Sequence, residues 1–174
     1  MVGNKSLLQT ICLAYLLQKK SNMPSITWSE AVDQALCFGW IDSTARPIDD
    51  EKYMQYFCQR KPASVWSKIN KEKISRLIEQ GLMTQSGFKS IEIAKENGSW
   101  TILDEVEELI LPADLENAFK AKPGSKAFYL SLSKSVRKAI LQWIVIAKRT
   151  ETRQQRINDI VDLAAQKLKP KQFI

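Results

Sequence analysis

A mainly α fold with a small antiparallel sheet in its N-terminal half is what this sequence predicts, and three observations predict it. After Pro62, apolar residues recur at three- and four-residue spacing between helix caps. Over 40–60 that rhythm is lost, and aromatic residues flank a polar Asp49-Asp50-Glu51 turn. The composition, 44% hydrophobic and 26% charged, is that of a globular chain and not of a disordered one. At 174 residues such a chain buries enough surface to fold without a disulfide or a metal. The reading is an N-terminal α+β part over 1–108 and a C-terminal helical part over 109–174, packed together as one compact unit.

The elements follow in order. Residues 11–18 suit a strand or a helix equally well. Thr27 and Glu30 form a capping box, and Trp28, Ala31, Val32, Ala35 and Leu36 then share one helical face. Gly39 ends that helix by taking up a left-handed conformation, and a hairpin occupies 40–60. Ser64 caps a short turn holding Trp66, and Asn70 caps a helix carrying Ile74, Leu77 and Ile78, closed by Gly81. Thr84 opens the next helix, with Phe88, Ile91 and Ala94 inward, and Asn97-Gly98 stops it. Residues 101–110 are acidic and suit a short helix or an irregular bridge. Pro112 starts a helix with Leu115, Ala118 and Phe119, and Pro123-Gly124 separates it from a short helix around Phe128. Ser133 caps a helix running to Lys148, apolar on nearly every side over 139–147, so that Trp143 should be buried. Thr150 caps the last helix, with Ile157, Ile160, Val161, Ala164 and Leu168 as its stripe.

Histidine is absent, which removes imidazole-based acid/base catalysis, Ser-His and Cys-His nucleophiles and imidazole metal ligands. No cofactor and no metal is called for. Cys12, Cys37 and Cys58 are widely spaced and read as reduced, structural thiols. The apolar run 7–17 follows Lys5 like a signal peptide. Gln9 and Thr10 interrupt it, however, and Lys19-Lys20 stand where a cleavage site belongs. It is too short to span a bilayer, so no membrane insertion and a cytoplasmic location are expected. Basic and acidic residues cancel over 1–133, and the net charge of +7 arises wholly in 134–174. Such an excess attracts anionic partners.

Lys148, Arg149, Arg153 and Arg156 cluster where the last two helices meet. Arg153 and Arg156, three apart, can grip a phosphate or carboxylate beside the free N–H groups of a helix start. Equally, they can pair with Glu151, Asp159 or acids from 104–108 and hold helices together. Trp40, Trp66 and Trp143, with Arg60, Lys61 and Lys68, can build an aromatic and basic surface, although tryptophans in a small helical domain more often belong to the core. Asp42 is a lone acid without a second group. Asp49, Asp50 and Glu51 fit turn chemistry better than a cation loop. Trp40, Asp42, Arg60 and Trp66 together mark a candidate pocket.

Phe38-Gly39-Trp40-Ile41-Asp42, Arg60, Ser64-Val65-Trp66-Ser67 with Asn70, Trp143-Ile144, Ala147-Lys148, Glu151-Thr152-Arg153 and Arg156-Ile157 occur in that order. This series resembles the YdeI/OmpD-associated family of bacterial proteins, over about Pro24 to Leu168. Gln59-Arg60 stands where that family usually has Pro-Arg. The resemblance implies bacteriocin protection, resistance to cationic antimicrobial peptides and a periplasmic location, and it carries over no reaction. The expected function is therefore binding of an unknown anionic ligand or protein partner, not catalysis. The alternatives are a nucleic-acid-binding module on the basic C-terminal helices, which is less favoured, and an enzyme acting on an anionic metabolite.

Overall fold

Strand β1 (Ile11–Leu17) opens the computed structural model, which describes residues 11–17 and 25–173. The choice between strand and helix at 11–18 goes to the strand, with position 18 and everything before 11 outside the described residues. Helix α1 (Trp28–Cys37) starts at the expected capping box: Thr27 N–H donates to the Glu30 carboxylate at 2.7 Å, and Glu30 N–H donates to the Thr27 hydroxyl at 3.2 Å. Strands β2 (Trp40–Pro47) and β3 (Lys52–Gln59) form the hairpin, and β1 pairs with the other edge of β3, giving the antiparallel order β1-β3-β2. The hairpin turn closes because the Asp49 carboxylate accepts the N–H groups of Glu51 and Lys52 at 2.9 and 2.8 Å. Asp49 is thus held in turn chemistry.

Helix α2 (Lys68–Glu79) is capped by Ser67 and not by Asn70: Ser67 has extended backbone, and its hydroxyl accepts from Asn70 N–H at 3.3 Å. Thr84 caps α3 (Gln85–Glu96) as expected. Ala31, Val32, Leu36, Ile74, Leu77, Ile91 and Ala94 join Leu16, Phe57 and Trp66 in one core. Trp28, Ile78 and Phe88, expected inward, are each more than 40% exposed. Helical spacing marks a face, but how far its cover extends depends on the neighbours.

Two glycines let α1 and α3 interlock. Gly39 has φ +74°, and a Cβ there would lie 2.9 Å from the Ser86 carbonyl oxygen. A Cβ on Gly87 would lie 2.3 Å from the Cys37 carbonyl oxygen. In return, the Thr84 N–H and hydroxyl both donate to that carbonyl, at 3.0 and 2.7 Å, and cap the end of α1.

These elements make up the first of two units, Met1–Trp100 and Thr101–Ile174. The second contains α4 (Asp104–Glu107), α5 (Ala113–Ala121), α6 (Ser125–Ser131), α7 (Lys134–Val145), α8 (Thr150–Ala165) and a 3-10 turn, Lys171–Phe173. Helix α8 packs on α5, α6 and α7 through Ile157, Ile160, Val161 and Ala164. Leu168, expected in that stripe, lies beyond the helix and is exposed. Helix α7 stops at Val145, three residues short of Lys148, and buries Ile140, Leu141 and Ile144 while Ile146 is exposed. Its apolar run is wider than the face its neighbours cover. Among the described residues no helix is long and apolar enough to cross a membrane.

Candidate functional site

Helix α7 ends early, and two arginines of α8 reach carbonyls of its last turn, of which Ile144 O already accepts the Ala147 N–H at 3.1 Å. Arg156 Nη1 donates to the Trp143 carbonyl at 2.5 Å, with its guanidinium 4.9 Å from the Trp143 ring centre. Arg153 Nη1 reaches the Ile144 carbonyl at 3.5 Å. The Arg153 fork also grips Asp114 of α5, Nε to Oδ2 at 2.6 Å and Nη2 to Oδ1 at 3.0 Å. The acid is thus Asp114, not Glu151, Asp159 or any of 104–108. Trp143, expected buried, is only partly so, and packs edge-on against Phe173 at 5.8 Å.

Lys148 and Arg149 are different. Both are exposed in the α7–α8 connection and form no ion pair with any described residue. Arg149 precedes the first turn of α8 with no side-chain cap, while Thr150, expected as that cap, already lies inside the helix. Of the four cations grouped by sequence, two hold the unit together and two face solvent.

Arg153 holds the Asp114 carboxyl below the usual carboxylate range, chiefly by its hydrogen bonds. A carboxyl lowered in the folded state contributes stability above its unfolded pKa and loses it as pH falls through the folded value. Acid titration of Asp114→Asn should therefore give a flatter stability profile than the parent below about pH 4. Parallel profiles for the two proteins would contradict this.

The other candidate group lies in the first unit. Arg60 leaves β3 with its backbone N–H bonded to Gly39 O at 3.0 Å. Its Nη1 donates to Val65 O at 3.1 Å, and its guanidinium lies 3.5 Å from the centre of the Trp66 ring. Trp66 is 1% exposed and packs on Trp100 at 5.0 Å between centroids. Burial brings the Arg60 pKa down to about 10, while Asp42 and Cys58 pull it back up, so it stays a cation at neutral pH. Its buried Nε has no hydrogen-bond partner among the described residues.

Arg60 and Trp66 line a cleft of about 190 Å³ together with Lys61, Lys89, Ser86 and Ser90. Three of its side chains are cationic, and no carboxylate among the described residues lines it. Lys61 and Lys89 are exposed. The Ser86 and Ser90 hydroxyls donate to the carbonyls of Phe38 and Gly87 at 3.2 and 2.8 Å, so the donors available to a ligand are the cations and the amide of the exposed Gln59, which also lines the cleft. Trp40 does not line this cleft but an apolar groove beside it, and Asp42 lines neither. The expected quartet is thereby divided: Arg60 and Trp66 are together, and Trp40 is apart.

Ser86, Lys89 and Ser90 did not stand out in the sequence. They share a face of α3 at i, i+3, i+4 spacing, which was visible, but nothing local to them shows that the end of β3 meets that face. Cys37 is buried, which pushes its thiol pKa up, and Cys58 is partly buried, so both fit a structural role. The Cys12 side chain lies outside the description. Among the described residues no group of three or more acidic or thiol side chains is arranged to hold a metal ion.

Residues 4–90 match the family model described as Domain of unknown function (DUF8412), and residues 108–167 match the one described as Bacteriocin-protection, YdeI or OmpD-Associated. The second match contains the Trp143-Ile144 to Arg156-Ile157 motifs, while Phe38 to Asp42 and Ser64 to Asn70 fall under the first. The YdeI/OmpD resemblance is thus supported over a shorter stretch than Pro24 to Leu168. No curated protein and no solved structure matches the chain.

Proposed function

The chain belongs to the family described as Domain of unknown function (DUF8412), whose model spans half of it, and from that premise we propose that it binds a small anionic group between Arg60, Lys61 and Lys89. One observation carries the reading: three cations line one cleft with no carboxylate from the described residues among them. A cleft lined by charges of one sign raises the local concentration of anions. Catalysis is not part of the reading: among the described residues no carboxylate lines the cleft as a general base, and Asp42 lies outside it.

The bacteriocin protection in the description of the 108–167 match would then work through an anionic partner. A chain of net charge +7 repels a cationic peptide instead of sequestering it. Free Cys37 and Cys58 fit the reducing cytoplasm, which we include in the proposal.

Titration of inorganic phosphate into isotope-labelled protein tests it. Amide shifts should centre on Arg60, Lys61 and Lys89, and the double reversal Lys61→Glu/Lys89→Glu should weaken binding by at least about tenfold, roughly 1.4 kcal/mol. Phosphate shifts that spare the cleft, or survive the reversal unchanged, would reject the assignment.

The exposed Lys148 and Arg149, which pair with no acid among the described residues, favour a second reading, contact with a polyanion such as nucleic acid. That contact should weaken steeply with salt and respond to Lys148→Glu/Arg149→Glu, not to changes in the cleft.

A further inference from the structure

Phe38 stands between two cavities. It is 52% exposed and lines the cationic cleft on one side and the apolar groove on the other. The chain crosses that ridge in two residues, since Gly39 lines the cleft and Trp40 lines the groove. The groove has a volume of about 410 Å³. Its walls, among the described residues, include Ile26, Ala31, Ala35, Trp40 and Phe57, with the amide of Gln34. Ala31 and Ala35, one turn apart on α1, are short enough to leave a slot beside the larger rings.

The two cavities differ in the way the two ends of an amphiphile differ. Among the described residues, one offers positive charge and no acid, and the other offers mostly apolar walls. Building on the anion-cleft reading above, we infer that both hold one soluble, single-chain amphiphile, with its phosphate or carboxylate head against Arg60, Lys61 and Lys89 and its apolar chain passing Phe38 into the groove beside Trp40. The head supplies orientation and the chain supplies most of the affinity, as in ligand sites that combine apolar walls with a few polar groups. Phe38 remains exposed in the free protein because the ligand covers it.

Calorimetric titration with inorganic phosphate, ethyl, butyl and hexyl phosphate, and hexanol tests this directly. Affinity should rise along the phosphate series by up to about fourfold per methylene buried. Hexanol should bind at least about tenfold more weakly than hexyl phosphate. Ala35→Phe, with folding checked by circular dichroism, should abolish the gain with chain length. Lys61→Glu/Lys89→Glu should bring hexyl phosphate down to the level of hexanol. If inorganic phosphate binds the cleft but lengthening the chain adds nothing, the inference fails and the anion reading stands. If no phosphate binds the cleft, both fail. Hexanol binding as tightly as hexyl phosphate would make the groove an independent site and overturn the inference. So would binding to vesicles of mixed phosphatidylcholine and phosphatidylglycerol without binding to monomeric hexyl phosphate.

Discussion

Replacing Trp66 by alanine should lower the stability of the N-terminal unit by about 4 kcal/mol, the usual loss for emptying a buried tryptophan site. The indole is 1% exposed, packs on Trp100 at 5.0 Å and carries the Arg60 guanidinium 3.5 Å from its ring centre. Truncation removes a large part of the core and the surface on which a mostly buried cation rests. Arg60 keeps its bond to Val65 O, so a charge is left beside a cavity instead of a ring. Trp66→Phe keeps an aromatic face and should recover most of the loss. Urea denaturation, followed through the remaining tryptophans, gives the measurement. A loss below about 1 kcal/mol for the alanine variant would mean that the packing around this ring is not what holds the unit.

The second large effect has an inverted sign. Glycine inside a helix is ordinarily improved by alanine, by about 1 kcal/mol. Gly87 lies in the first turn of α3, yet Gly87→Ala should destabilise by about 3 kcal/mol, because a Cβ would lie 2.3 Å from the Cys37 carbonyl oxygen and that oxygen belongs to backbone. Relief would require α3 to move off α1, breaking both Thr84 hydrogen bonds to the same carbonyl. Gly39→Ala should be destabilising in the same direction, by strain at φ +74° and by approach to Ser86 O at 2.9 Å. A stabilised Gly87→Ala protein would show that the two helix ends are not in contact.

The elements that could be read from the sequence are those whose cause lies within a few residues. Thr27 and Glu30 reach one another across a single turn, Thr84 and Ser133 each cap the helix that follows them, and Asp49 bonds the two N–H groups just beyond it. Where two neighbouring residues competed for one role, the sequence alone misassigned it. Ser67 caps α2 in place of Asn70, and Arg149 precedes α8 where Thr150 was expected. Arg60 and Trp66, six positions apart across a proline turn, lie side by side in the fold. Lys89 was missed because it comes from another helix.

Local chemistry, then, was enough for the hairpin, most of the helices, the uneven charge and the absence of imidazole, since propensity, capping and composition act over one or two turns, whereas the third strand, Ile11–Leu17, was decided by its pairing with β3. The fate of each cation was a question of distance between remote segments. Arg153 meets Asp114 across 39 positions and Arg156 meets a carbonyl 13 positions away, whereas Lys148 and Arg149, beside them in the chain, meet no acid among the described residues. An ion pair needs its partners within about 4 Å, and periodicity carries no information about which of many acids folding will bring that close.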